Sequence, residues 1–147
     1  MSLETGRYII KNGDKIVGRA LAEDLSLNPK RIILASSDNE STWIIEKTDS
    51  VKDQSYLFIS FGSPTTHIEH NVFALLVNQE AATKWVVIPV SHHGKDAFLI
   101  TTADRNEGWV APKEIGEQIQ YRPLIVAPSE PPQFPTSEVF HITKVED

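Results

Sequence analysis

Two short apolar signatures alternate three times along this chain, and that alternation limits its possible folds more than any other feature. The first places an aromatic or leucine two positions before an isoleucine: Tyr8 and Ile10, Leu57 and Ile59, Phe98 and Ile100. The second is an aromatic followed by aliphatics after a polar lead: Ser41-Thr42-Trp43-Ile44-Ile45, Thr83-Lys84-Trp85-Val86-Val87 and Glu138-Val139-Phe140-His141-Ile142. Each copy opens with the first pattern and closes with the second, at intervals close to a third of the 147 residues.

The remaining apolar residues also come in short runs, such as Ile32-Ile33-Leu34 and Val72-Phe73-Ala74-Leu75-Leu76-Val77. Turn formers bound them, as in Asn12-Gly13-Asp14, Ser36-Ser37-Asp38-Asn39 and Gly62-Ser63-Pro64. No stretch holds an i, i+3, i+4, i+7 spacing for three turns, so little helix is expected. The pattern predicts an all-β fold of about a dozen short strands. Three pseudo-repeats of about four strands predict a β-trefoil, a six-stranded barrel with a hairpin cap, forming a single domain over residues 1–147. One such unit cannot bury its own apolar face, whereas three around an axis can. The segment Ala127-Pro128-Ser129-Glu130-Pro131-Pro132-Gln133-Phe134-Pro135 lengthens the third copy and reads as a stiff surface loop.

The charge balance narrows the partners. With 14 basic against 20 acidic residues the net charge is −6, which argues against nucleic acid, because neutralising phosphates needs clustered Lys and Arg. No apolar run approaches the roughly twenty residues that span a bilayer, so no membrane partner is expected. The opening Met1-Ser2-Leu3-Glu4-Thr5-Gly6 lacks a basic region followed by an apolar stretch, so the expected location is cytoplasmic. The Asn39-Glu40-Ser41 sequon is accordingly read as unmodified. Cysteine is absent, which removes disulfides, thiolate catalysis and Cys-ligated zinc together.

Catalytic constellations are missing. There is no Gly-x-Ser-x-Gly elbow, no Gly-rich phosphate loop and no His-Glu-x-x-His. His67 and His70, three apart, would face opposite sides of a strand, and His92-His93 lies in the turn-like Ser91-His92-His93-Gly94-Lys95. Glu107, Glu114 and Glu117 lie in a region that the sequence alone does not arrange in space, which leaves paired acid catalysis open as a minor reading. The expectation is a non-enzyme with no cofactor and no metal. A carbohydrate-binding trefoil lectin is the first alternative, using Trp109 or Tyr121 as a stacking platform. Its usual Gln-x-Trp is replaced here by Ser41-Thr42-Trp43, Thr83-Lys84-Trp85 and Glu138-Val139-Phe140, and Trp43 and Trp85 read as core residues.

Several segments together carry a family likeness. They are Leu3-Glu4-Thr5-Gly6-Arg7-Tyr8-Ile9-Ile10-Lys11-Asn12-Gly13, Val17-Gly18-Arg19-Ala20-Leu21-Ala22-Glu23-Asp24, Leu27-Asn28-Pro29-Lys30-Arg31, and the triplets at Trp43, Trp85 and Phe140. The chain resembles the fungal β-trefoil serine protease inhibitors of the cospin and cnispin group, and more distantly the mycocypins, which inhibit cysteine proteases. The resemblance runs over the whole chain and is strongest in its first third. It implies a defence protein that presents the loop between the second and third strands to a protease. Here that protease-binding loop is Glu23, Asp24, Leu25, Ser26, Leu27, Asn28, Pro29 and Lys30.

Read on its own, the loop holds Leu25 and Leu27 in a polar setting. One reading tucks the leucines under the barrel. The other projects Leu25 into an enzyme's specificity pocket, with Ser26 just after the pseudo-scissile bond. Pro29 restricts the backbone, and Asp24 and Asn28 can pin it by hydrogen bonds. Trypsin inhibitors need Arg or Lys in the pocket, to meet the Asp at its base. The pocket candidates are therefore Leu25, which suits chymotrypsin-like, subtilisin-like or elastase-like enzymes, and Lys30, which keeps trypsin-like enzymes open. The second alternative, a cysteine protease inhibitor, would use the turns at Ser63-Pro64 and Ser91-His92-His93-Gly94. A monomer is expected in each case.

Overall fold

The structure, a computed structural model, describes residues 3–19, 25–36, 41–48, 55–125 and 133–145. Twelve strands form one antiparallel network: β1 (Gly6–Asn12), β2 (Lys15–Arg19), β3 (Lys30–Ala35), β4 (Trp43–Lys47), β5 (Ser55–Ser60), β6 (Ser63–Ile68), β7 (Asn71–Ala74), β8 (Trp85–Pro89), β9 (Ala97–Thr101), β10 (Glu107–Val110), β11 (Gln120–Pro123) and β12 (Phe140–Lys144). Short 3-10 turns at Gln79–Ala81, Ser91–His93 and Thr136–Glu138 are the helical segments among the described residues. The all-β expectation is met.

Six strands close on themselves. β1 pairs with β4, β4 with β5, β5 with β8, β8 with β9, β9 with β12, and β12 with β1. Closure leaves this barrel no free edge to satisfy. The other six strands form the hairpins β2–β3, β6–β7 and β10–β11, which are joined through β3–β7 and β7–β11 pairing. Ile32, Val72 and Ile119 meet where the hairpins converge, all fully buried. The Ile119 amide donates to the Ile32 carbonyl at 2.8 Å, and the Val72 amide to the Ile119 carbonyl at 3.0 Å. This pairing fits the expected trefoil.

The register corrects one detail of the repeat. Tyr8 lies opposite Lys144, Tyr56 opposite Lys47 and Phe98 opposite Pro89. The counterparts of Tyr8 and Ile10 are thus Tyr56 and Phe58, then Phe98 and Ile100, all buried. Leu57 and Ile59 lie one residue off and are half-buried on the opposite face. Side chains alternate with a period of two, so a slip of one residue moves a strand's whole apolar set to the other face. β5 is apolar on both faces, which hides the true phase.

Trp43, Trp85 and Phe140 begin the closing strands and are fully buried. Trp109 fills the space between them, with its ring centroid 5.9 Å from Trp43, 5.5 Å from Trp85, 6.1 Å from Phe140 and 5.4 Å from Phe58. These are ordinary tilted and edge-to-face separations. The pairings Lys11 with Ile16, Ile59 with Pro64 and Thr101 with Gly108 make Val17, Thr65 and Trp109 counterparts. One copy therefore supplies a large indole where the others supply small side chains. A close-packed interior near a symmetry axis has room for one such ring, not three.

Candidate functional site

β2 and β3 form a hairpin with Ile16 opposite Ala35 and Arg19 opposite Ile32, and residues 20–29 connect the two strands in sequence. Glu23 and Asp24 lie outside the described residues. Leu25 is fully exposed, at 103%, and Leu27 is 66% exposed. The reading that tucks these leucines under the barrel is thereby overturned: the loop holds both side chains in solvent. Exposing two leucines gains nothing for folding, since each forgoes roughly 1.5–3 kcal/mol of burial.

Between them, Ser26 is half-buried and its Oγ accepts a hydrogen bond from the Asn28 amide at 3.2 Å. This serine turn mimics a backbone turn and fixes the path across Leu27. Asn28 and Pro29 are exposed, and Pro29 narrows the backbone freedom just before β3. Leu25, Ser26, Leu27, Asn28 and Pro29 thus form one projecting segment.

Lys30 departs from its expected role as a pocket residue. It is the first residue of β3, lies opposite Ala74 and is only 5% exposed. The strand pairing that begins at this position turns its side chain into the protein, so it is not offered to a pocket. Lys30 is a root of the loop rather than its tip.

Sequence reasoning missed the other root. Arg19 ends β2, is 9% exposed, and donates from Nη1 to the Ser60 carbonyl at 3.3 Å. Its guanidinium carbon lies 5.6 Å from the centroid of the Phe61 ring. Phe61 sits in the two-residue turn between β5 and β6 at φ +48°, beside Gly62 at φ +77°, and is 70% exposed. The signal was present in the sequence: such turns favour Asn-Gly or Asp-Gly, and here the first position is an aromatic.

The stacking platform of the lectin alternative is closed off. Trp109 is fully buried and Tyr121 is 8% exposed, stacked on His67 at 3.8 Å, so neither offers a face to a sugar. Ser63 and Pro64 are buried within β6, so the exposed part of that turn is Phe61 and Gly62. His67 lies in β6 and His70 in the following turn. The His93 Nε2 accepts the Phe134 amide at 3.2 Å, and the Glu117 carboxylate accepts the Glu114 amide at 3.1 Å. Among the described residues, no group of three or more His, Asp or Glu is placed to hold a metal ion.

Known proteins place this geometry. A Lentinula edodes protein described as a serine protease inhibitor is 55% identical over 147 residues, covering 99% of this chain and 100% of the relative. The solved structure of a proteinase inhibitor from Coprinopsis cinerea is 37% identical, with a TM-score of 0.87 over 98% of this chain and 100% of that one. ThreeFoil, a designed 3-fold symmetric protein, is only 10% identical but has a TM-score of 0.64 over 95% of this chain and 99% of its own, which speaks to fold alone. The family model for peptidase inhibitor I66 matches residues 1–144. The chain belongs to the peptidase inhibitor I66 family.

Proposed function

We propose that this protein inhibits serine proteases by filling the active site with the loop between β2 and β3, Leu25 entering the specificity pocket. The observation that carries this reading is the full exposure of Leu25 beside a hydrogen-bonded Ser26. The inhibitory character of the family and the serine protease inhibitor from Lentinula edodes support the target class. It is a binding role, not an enzymatic one.

The scaffold explains how a loop without sulfur crosslinks could serve. We read the closed six-strand ring and three hairpins as a β-trefoil of three four-stranded copies. Both roots of the loop, Arg19 and Lys30, are buried. A segment held near its bound shape avoids ordering costs of roughly 0.5–1.5 kcal/mol per side chain. A complex of this kind would bury about 1,600 Å² in total. An aliphatic pocket residue favours chymotrypsin-like, subtilisin-like or elastase-like enzymes over trypsin. The burial of Lys30 supports this preference. We read the protein as a monomer held in the cytoplasm until tissue damage releases it.

The test is a set of inhibition constants for chymotrypsin, subtilisin, elastase and trypsin, with wild type and Leu25→Asp. At least one of the first three enzymes is inhibited by wild type, and Leu25→Asp abolishes that inhibition. Equal inhibition by both proteins would remove Leu25 from the pocket.

A further inference from the structure

We propose that Phe61 is a second contact for the same protease, an aromatic anchor outside the substrate cleft that adds affinity to the loop at Leu25. This rests on the reading of the β2–β3 loop given above.

The argument begins with what Phe61 does not do for the fold. Its φ of +48° lies in the left-handed region, which is uncommon for a bulky residue and which Asn, Asp or Gly would occupy more easily. Its ring is 70% exposed, outside the barrel core. Neither backbone preference nor burial accounts for an aromatic there. Strained positions of this kind concentrate at binding sites.

The second observation is its support. Arg19 is nearly buried, donates to the Ser60 carbonyl one residue before Phe61, and places its guanidinium over the ring. A cation over an aromatic face within about 6 Å is attractive and limits the ring's motion. Phe61 is thereby held in place, which reduces the entropy lost on binding.

The third observation is position. Arg19 roots the inhibitory loop, and Leu25 follows it by six residues. Six residues reach at most about 21 Å. A typical interface covers about 800 Å² on each partner, a patch roughly 30 Å across. A patch of that width is wide enough to take in both Leu25 and the Phe61 ring, which stands beside Arg19 at the root of the loop. Rigid aromatics at such places are frequent hot spots, with leucine less so.

The experiment compares wild type, Phe61→Asn, Phe61→Tyr, Ile125→Asn and Leu25→Asp against whichever of chymotrypsin, subtilisin and elastase the wild type inhibits most tightly. Asn suits the turn, so thermal unfolding of Phe61→Asn should match or exceed wild type. Its inhibition constant should rise at least tenfold, while Phe61→Tyr stays within threefold. Ile125 is 66% exposed elsewhere on the surface, and its variant should match wild type. If Leu25→Asp abolishes inhibition while Phe61→Asn leaves it unchanged, this inference fails and the loop reading stands. A tenfold loss for Ile125→Asn as well would also overturn it, because the effect would not belong to Phe61. If Leu25→Asp inhibits normally, or wild type inhibits none of the three enzymes, the loop reading fails and Phe61 loses its role with it.

Discussion

The indole Nε1 of Trp43 donates to the carbonyl of Val17 in β2, at 2.8 Å and fully buried. It ties β2, the first strand of the hairpin beside the proposed loop, to the fourth strand of the chain. Its counterpart Trp85 donates instead to the Thr65 hydroxyl at 2.9 Å, and that hydroxyl donates to the Phe58 carbonyl at 3.0 Å. The third copy has Phe140 and needs no partner. Trp43→Phe should leave the Val17 carbonyl unpaired and cost about 1–3 kcal/mol. Urea unfolding checks this, and the melting temperature should fall by about 2–4 °C per kcal/mol. An unchanged midpoint would mean that the hydrogen bond contributes nothing.

Two glycines sit where chain segments approach closely, with different consequences. A Cβ on Gly108 would collide with the Ile100 backbone carbonyl, whereas one on Gly18 would collide with the Ser41 side chain. Both Gly→Ala variants should destabilise, by roughly 1–3 kcal/mol each. Adding Ser41→Gly should recover part of the loss in Gly18→Ala. No side-chain change should rescue Gly108→Ala, since the obstruction there is backbone. Thermal unfolding of the single and double variants decides between the two cases.

Glu138 gives a pH dependence of known sign. It is 2% exposed and its Oε2 accepts the Ile125 amide at 2.7 Å. Burial raises its pKa, against the smaller lowering effect of that hydrogen bond. Only the folded chain penalises the anion. The stability associated with the neutral carboxyl is complete below the unfolded value of about 4.3, and it is lost as pH rises through the higher folded value. Glu138→Gln stays neutral and keeps an acceptor. The stability of wild type relative to this variant should therefore fall as pH rises above about 4. A difference that stays flat, or moves in favour of wild type, would contradict the assignment.

Ser26 allows loop rigidity to be tested apart from Leu25. Ser26→Ala removes the acceptor for the Asn28 amide. At roughly 0.5–1.5 kcal/mol for a hydrogen bond of this type, inhibition should weaken about twofold to tenfold. The melting temperature should move little, because the bond lies in an exposed loop outside the core. A loss of inhibition accompanied by a large drop in melting temperature would point to damage beyond the loop.

Much of this architecture was legible in residue types alone. Trp43, Trp85 and Phe140 announced the closing strands, and turn formers such as Asn12-Gly13-Asp14 marked where strands end. What escaped was information that exists only after closure. Leu57 and Ile59 resembled their neighbours' core residues because β5 is apolar on both faces, and only the pairing of Tyr56 with Lys47 sets its phase. Trp109 looked available for a sugar because only the folded chain brings the rings of Trp43, Trp85 and Phe140 around it. Lys30 looked exposed because lysines usually are, and only its place opposite Ala74 turns it inward. Leu25 and Leu27 could be read either way, since an exposed leucine and a buried one are the same letter. The link from Arg19 to Phe61 joins residues far apart in sequence, and no local pattern encodes it.

The most direct measurement is the inhibition of trypsin and of chymotrypsin by Leu25→Arg. If Leu25 occupies the specificity pocket, a basic side chain there meets the acidic residue at the base of trypsin's pocket. Trypsin inhibition should tighten by roughly a hundredfold, about 2.7 kcal/mol, while chymotrypsin inhibition weakens. An inhibition profile identical to wild type for both enzymes would contradict the assignment of Leu25 and with it the account of this loop.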